Sequence, residues 1–454
     1  MAKVIVVGSG GREHTIAWKL SLSEAVEEII CVPGNGGMAN EKKCKTVSLS
    51  QDYIEPGQNP YVQVALHEGC DFAVIGPEDP LAEGIADDFW NAGIPCVGPK
   101  NAGAQLEASK DLAKEFMSKY KVACPASKTF TDEQKAHDYV EHHGAPIVIK
   151  ADGLAAGKGV TVAADVNQAH EAIKDIMTSG RVGNAGKKIV VEDYLEGIEI
   201  SILAAVSVSP ENTKNSKSII VPFLPARDHK RLYDGAKGPN TGGMGAVTPL
   251  DDVTPAIMER FNKEILEPTL KGLIEENFDY RGFIFFGVML TKNGPKLLEY
   301  NVRLGDPETQ VVLPMMDFDF FEMCKAIVDG TLKDFDFKWK SGYAVAPVAV
   351  SGGYPGSYKK GIRITIDPKA KEISGSKIFI AGAIEDRRNS PDKNEGSHPM
   401  ITSGGRVLAA CSIAPTFAEA WDKSYALMKT IKFDGMFYRK DIGLPGAAES
   451  GKLN

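Results

Sequence analysis

Pro146-Ile147-Val148-Ile149-Lys150-Ala151-Asp152-Gly153-Leu154-Ala155-Ala156-Gly157-Lys158-Gly159-Val160-Thr161-Val162-Ala163 decides the fold of this chain. Two apolar, β-branched runs flank a loop with three glycines and a lysine, and a strand-forming run follows the loop where a phosphate-binding P-loop has a helix. The Gly153 to Gly157 spacing is one residue short of that motif, and no Ser or Thr follows Lys158. The stretch predicts an antiparallel hairpin with a flexible, cationic tip that can fold over phosphates. A plain polar turn needs neither the two lysines nor so much glycine.

Upstream, Val4-Ile5-Val6-Val7, Ile29-Ile30-Cys31-Val32, Phe72-Ala73-Val74-Ile75 and Pro95-Cys96-Val97-Gly98 alternate with helical stretches such as Glu13 to Leu22. Short apolar runs separated by helices predict a doubly wound parallel sheet covered on both faces. Ser109 to Tyr120 reads as an amphipathic helix leading into the hairpin region. Downstream, Lys188 to Glu192 and Glu199 to Leu203 flank a polar turn and read as a second hairpin. Phe283 to Val288 and Lys296 to Tyr300 read as a third, turned at Lys292-Asn293-Gly294. Ser209 to Ser218 reads as a surface loop. From Thr331 onward, Tyr343 to Val350, Ile362 to Ile366, Lys377 to Ile380 and Arg406 to Ala409 predict strands, with a helix over Phe417 to Lys429 and a charged loop over Glu385 to His398. The expected class is α/β and α+β multidomain: an N-terminal doubly wound parallel sheet (1–104), a central region of antiparallel hairpins (105–330, glycine-rich hairpin subdomain 125–195) and a small β-rich C-terminal domain (331–454).

The chain has 454 residues, 43% hydrophobic and 25% charged, with a formal charge of −8. That length suggests two to four domains at about 100–200 residues each. The negative balance argues against a nucleic-acid surface, and no run reaches the roughly 20 apolar residues of a membrane span. Seven scattered cysteines without Cys-x-x-Cys spacing suit reduced thiols in a cytoplasm. His142 and His143 lack further ligands nearby and read as a solvated helix face.

Four further segments carry chemistry. Gly8-Ser9-Gly10-Gly11-Arg12-Glu13 follows a strand and opens a helix, which favours a small phosphate-bearing ligand or a bare structural turn. A dinucleotide fingerprint fails at Glu13, which stands at the third glycine, and at Pro33-Gly34-Asn35, which ends the second strand without a carboxylate. The segment Gly76-Pro77-Glu78 follows a later strand of the same sheet and would share its ligand-binding edge. Glu299 and Asn301 sit two apart at a strand end, so both emerge on one face; oxygen donors beside phosphates suit magnesium. The charged run Arg303-Leu304-Gly305-Asp306-Pro307-Glu308 follows them and points to a ligand pocket. Glu192 and Glu199 flank Asp193-Tyr194-Leu195-Glu196-Gly197, a turn that can seat a purine and its ribose. Lys237 to Gly245 lacks apolar periodicity and is either disordered or wrapped about a ligand, the second favoured by its glycines.

These segments, with Asp228-His229-Lys230-Arg231 and Tyr438 to Gly443, together resemble the glycinamide ribonucleotide synthetase family of ATP-grasp ligases from Val4 to Gly443. The resemblance implies ATP-dependent joining of glycine to 5-phosphoribosylamine through a glycyl phosphate, in purine biosynthesis. It implies ATP-binding roles for Lys110, Lys150, Gly153, Gly157, Lys158, Gly159, Glu192, Leu195 and Glu199, and Mg2+ or Mn2+ ligation by Glu299 and Asn301. Arg303, Asp228 and Lys230 would be catalytic. Gly10, Gly11, Glu78, Asn240, Thr241, Gly242, Gly243, Met244, Gly245, Gly305 and Asp306 would bind the other substrates. The implied partners are small molecules, with no nucleic acid and no membrane, and a monomer or weak homodimer. The chain departs from the family pattern at Ile380, where a histidine is usual, at the two polar loops, and at Gly287-Val288-Met289, which has no additional acidic metal ligand. Another ATP-grasp ligase or carboxylase, a non-catalytic nucleotide sensor and a nicotinamide-dependent dehydrogenase are the competing readings.

Overall fold

The computed structural model describes residues 1–49, 57–154, 159–180, 182–386 and 399–447. The expected parallel sheet is present, in the order Cys96–Pro99, Phe72–Ile75, Ala2–Gly8, Val26–Pro33, Cys44–Thr46, with every pairing parallel. Val4 to Val7 are fully buried, as helices on both faces require. The short strand Cys44–Thr46 lacks an apolar run and gave no sequence signal.

This sheet does not stop at its last parallel strand. Cys96–Pro99 pairs antiparallel with the start of Tyr280–Thr291, which continues through Ile198–Val208 to Ile219–Pro222, while Gly294–Asn301 pairs with its far half. One nine-stranded sheet thus links the N-terminal wall to the hairpin that carries Glu299 and Asn301. The expected hairpin turn at Gly294 is there, with φ +107, a conformation that glycine adopts without strain.

The decisive hairpin forms as read: Ile147–Ala151 pairs with Val160–Ala163. It belongs to a separate four-stranded sheet ordered Ser127–Phe130, Ile189–Asp193, Ile147–Ala151, Val160–Ala163. Helices Glu133–His143 and Val166–Met177 cover its outer face and enclose a small core of their own. The second expected hairpin does not exist. Ile189–Asp193 pairs with Ser127–Phe130 and Ile147–Ala151, whereas Ile198–Val208 lies in the nine-stranded sheet. Both runs are apolar enough to be central strands, so each found two neighbours elsewhere, and the segment between them crosses from one sheet to the other. Ser209 to Ser218 also departs from the reading: Pro210–Lys214 is a short helix capped by Ser209.

A five-stranded antiparallel sheet runs Arg227–Asp228, Gly245–Thr248, Tyr343–Val350, Arg406–Ala414, Ser376–Ile380, and helix Phe417–Lys429 packs on it. Segments before and after residue 330 thus share one sheet. Arg363–Ile366 and three short strands form a second small sheet. The loop expected over Glu385 to His398 lies largely outside the described residues.

Candidate active site

A cleft of about 1430 Å³ separates the four-stranded sheet from the nine-stranded one. Strand alternation decides what faces it. In the hairpin, Ile147, Ile149, Ala151 and Ala163 point to the helices and are fully buried, so Val148, Lys150, Val160 and Val162 face the cleft. On the opposite wall the pairing skips Leu298: Gly287 opposes Glu299 and Val288 opposes Leu297. This bulge brings Leu298, Glu299 and Asn301 all to the cleft, while Leu297 and Tyr300 stay buried. Val148, Val162, Leu195, Met289 and Leu298 make an apolar slot between the sheets, suited to a flat aromatic ring.

Lysines and carboxylates meet in that slot. Lys150 Nζ lies 2.9 Å from Glu192 Oε2 and donates to the Leu298 carbonyl at 3.3 Å. Lys114 Nζ lies 3.3 Å from the other Glu192 oxygen. Burial works against the charge of both lysines. It prevails at Lys114, whose pKa falls; at Lys150 the carboxylates Glu192 and Glu299 outweigh it and hold the pKa above its usual value. Burial likewise opposes ionisation of Glu299, but Lys150, Lys230, Lys110 and Arg303 surround it and keep its pKa low. Among the described residues the Glu299 carboxylate makes no hydrogen bond or ion pair. An ionised carboxylate without a partner, two positions from an amide oxygen on the same face, fits a divalent cation. Among the described residues no three His, Cys, Asp or Glu side chains gather as a metal cluster, so nucleotide phosphates would have to complete the shell, as they do for magnesium.

Arg303 is fixed by two carboxylates, Nη2 to Glu107 Oε1 at 3.0 Å and Nε to Glu78 Oε2 at 3.3 Å. Lys230 pairs with Glu199 and its pKa is raised. Asp228 lies beneath the glycine loop with Oδ1 unpartnered, its pKa pushed up by burial and by Glu308. Gly243 must be glycine here: its φ is +115, and a Cβ would sit 2.6 Å from Asp228 Oδ1. His229 is buried; Nδ1 donates to the Gly245 carbonyl at 3.2 Å, and Nε2 accepts from Gly443 N at 3.0 Å. The fully buried Arg439 forms a two-pronged pair with Asp441 and donates to the Arg231 carbonyl at 3.0 Å, so the Tyr438 to Gly443 segment fastens the strand pair Arg231–Tyr233 and Lys237–Asn240 over the cleft.

Of the residues anticipated from sequence, Lys110, Lys150, Gly153, Gly159, Glu192, Leu195, Glu199, Asp228, Lys230, Asn240, Thr241, Gly242, Glu78, Glu299, Asn301, Arg303 and Asp306 line this one cleft. Gly157 and Lys158 lie outside the described residues. Met244 is fully buried in the core, Gly245 belongs to the strand Gly245–Thr248, and Gly305 packs against Glu308; none of these three lines the cleft. Gly10 and Gly11 do not line it either: Glu13 folds back so that its Oε2 accepts from Gly10 N at 2.6 Å. Sequence reading also missed Lys114, Glu107, Arg406 and Tyr354. Lys114 had a signal, one helical turn beyond Lys110. Arg406 bonds the Gly242 and Asp306 carbonyls, and Tyr354 accepts from Gly242 N at 2.9 Å; both are more than 100 residues from Gly242 along the chain and had none. At the Ile380 departure, the backbone N–H donates to His14 Nδ1 at 2.7 Å while the side chain is buried.

Comparison with known proteins agrees with this architecture. The phosphoribosylglycinamide synthetase N domain matches residues 2–107, its ATP-grasp (A) domain 108–309 and its C domain 344–445. The chain is 46% identical to the phosphoribosylamine--glycine ligase of Clostridium acetobutylicum, over 97% of this chain and 99% of that protein, and 44% identical to the one from Nostoc sp., over 97% and 99%. A crystal structure of the Thermotoga maritima phosphoribosylamine--glycine ligase superposes with a TM-score of 0.79 at 30% identity, covering 97% of this chain and all of that one. The biotin carboxylase domain of Hydrogenobacter thermophilus 2-oxoglutarate carboxylase shares the fold alone, with a TM-score of 0.69 at 16% identity, over 96% and 91% of the two chains. Two glutamate-anchored lysines, a cation-ready strand end and a clasped glycine loop thus stand in a scaffold these relatives share, and the chain belongs to the phosphoribosylglycinamide synthetase family.

Proposed function

We propose that this cleft joins glycine to 5-phosphoribosylamine with conversion of ATP to ADP and phosphate, the purine-synthesis ligation for which its relatives are named. The observation that carries the reading is the meeting of Lys150, Glu299 and Asn301, from two different sheets, around one slot. Lys150 and Lys110 take the triphosphate, the latter now donating to the Gly153 carbonyl at 3.0 Å. Leu195 and the backbone of the inter-sheet segment read the purine. The Glu192 carboxylate holds Lys114 and Lys150 in place from behind. Glu199 takes the ribose.

Glu299 and Asn301 would hold a magnesium or manganese ion, which when bound neutralises phosphate charge. A glycine carboxylate oxygen attacks the γ-phosphorus as the bond to the bridging oxygen breaks, giving ADP and glycyl phosphate. Arg303, its fork set by Glu107 and Glu78, steadies the acyl phosphate. The amine nitrogen then attacks the acyl carbon and phosphate leaves. Asp228, with its raised pKa and open oxygen, accepts the amine proton. Asn240 to Gly242 shape the glycine end, and Glu78, Asp306 and the Gly10-Gly11 loop the ribose-phosphate end. Residues 1–104, 105–330 and 331–454 form the corresponding amine-binding, ATP-grasp and closing domains.

Seven free thiols support a cytoplasmic setting, and among the described residues no helix is long and apolar enough to cross a membrane. ADP release measured with glycine, other amino acids or bicarbonate, each with and without phosphoribosylamine, tests the proposal. Release should require both glycine and the amine; release with bicarbonate alone would assign a carboxylase instead.

A further inference from the structure

The tip of the glycine loop hangs on side chains from far along the chain. Gly242 gives its amide N–H to the Tyr354 hydroxyl at 2.9 Å, and its carbonyl accepts from Arg406 Nη1. Its neighbours are tied locally: Thr241 N donates to the Lys230 carbonyl at 2.8 Å, and Gly243 N to Thr241 Oγ1 at 3.0 Å. The same Arg406 Nη1 donates to the Asp306 carbonyl at 2.7 Å, so its two hydrogens serve two separate segments, while Nη2 lies 3.5 Å from Asp306 Oδ1. Asp306 reaches further. Its Oδ1 accepts from Gln310 Nε2 at 2.8 Å, and its Oδ2 from Arg12 N, in the first turn of helix Gly11–Ser21, at 3.4 Å.

Arg406 is itself firmly placed. It opens strand Arg406–Ala414, and the two residues before it are fastened to Ser351, whose Oγ donates to the Gly404 carbonyl at 2.9 Å and whose N donates to the Gly405 carbonyl at 2.8 Å. The Tyr354 ring lies against Gly405, where a Cβ has no room. Tyr354 and Arg406 thus stand on one platform and grip the Gly242 peptide by its N–H and its carbonyl. Arg406 does not line the cleft, so whatever it does for the reaction passes through Gly242 and Asp306, which do. A guanidinium suits the task, because its donors sit in a fixed fork under a permanent charge.

We propose that Arg406 is a positioning residue for the glycine–amine ligation, an inference that rests on that reading of the cleft: by pinning the Gly242 carbonyl to the Asp306 segment, it fixes the glycine end against the ribose-phosphate end. Lys150, Glu299 and Asn301 stand on strands that Arg406 does not bond, so phosphoryl transfer keeps its geometry when the pin is lost. Amine capture does not, since a misplacement of about 1 Å costs roughly 100-fold. Water then competes for the glycyl phosphate. Its oxygen attacks the acyl carbon, the bond from that carbon to the phosphate oxygen breaks, glycine is returned, and the two water protons pass to phosphate and solvent.

The test counts ADP and amide product in the same reaction, with ATP, magnesium, glycine and phosphoribosylamine, for the wild-type chain, Arg406→Met and Arg406→Lys, each checked as folded by circular dichroism. Wild type should give one amide per ADP. Arg406→Met should release about 10 ADP per amide and raise the KM for glycine and for the amine together by about 10-fold, with the KM for ATP unchanged. Arg406→Lys keeps the charge without the fork and should recover part of the coupling. One ADP per amide in Arg406→Met, or a KM for ATP that rises as far as the other two, overturns the positioning role. A wild-type chain whose ADP release ignores glycine overturns the ligation itself, and this inference with it.

Discussion

The two walls of the cleft differ in how they are anchored. Glu299 and Asn301 stand on a strand of the nine-stranded sheet, whose residues merge into the main hydrophobic core with the N-terminal and C-terminal regions. Lys150 stands on a four-stranded sheet whose core, from Phe130 to Val191, is closed to itself beneath two helices. Polar ties join this lobe to the rest: Ser109 Oγ and Asp111 N to Asp152, Lys110 to the Gly153 carbonyl, Lys188 to Asp111, and Lys150 to the Leu298 carbonyl. Glu299, Asn301 and Arg303 thus sit on the fixed wall, and Lys150 with its partner Glu192 on the separable one. Lys150 pairs with Glu192 on its own sheet and donates to the Leu298 carbonyl across the cleft.

The contrast is broken most severely at the fixed wall. Glu299→Gln should lower ADP release about 10³-fold, because its charge acts where phosphoryl charge develops, with the unfolding midpoint unchanged since the side chain makes no packing-critical bond. A wild-type rate would remove the metal assignment. Next comes the roof that spans both walls: Asp441→Ala leaves Arg439 buried without its carboxylate and should cost roughly 3 kcal/mol in urea unfolding. On the separable wall, Lys150→Met should reduce turnover about 10²-fold and raise the KM for ATP but not for glycine; an unchanged KM would place the triphosphate elsewhere.

A pH series probes the same roof. His229 is held neutral by burial and by Arg439, its pKa pushed down from 6.5 to about 3. The unfolded chain therefore takes up a proton that the folded chain refuses, and stability falls as pH drops from 6.5 toward 3. His14 shifts in the same direction, so His229→Gln should flatten this slope without abolishing it. The smallest effect is expected at Tyr354→Phe, which removes one hydrogen bond to Gly242 and should cost about 1 kcal/mol, read as a few-fold rise in the KM for glycine.

Much of this was legible in residue order. The Ile147–Ala163 hairpin, the Gly294 turn, the N-terminal parallel strands and helix Phe417–Lys429 each carry a local pattern, and the structure follows it. Glu299 and Asn301 were found because a strand's two-residue repeat puts them on one side. The second hairpin was misread because a polar turn between two apolar runs looks alike whether the strands pair or part. Met244 and Gly245 were misplaced because glycine-rich spacing does not tell which of its neighbours points inward.

By itself, the sequence determined most local elements, many of the residues that line the cleft, and the family, because hydrophobic periodicity and turn chemistry act over a few residues. Only the tertiary structure decided that Glu192 serves two lysines, that a bulge at Leu298 brings Leu298 to the cleft beside Glu299 and Asn301, and that Arg406 and Tyr354 hold Gly242. These depend on which strands become neighbours, and that choice is made by burying whole faces together, a sum over the chain that no single segment contains.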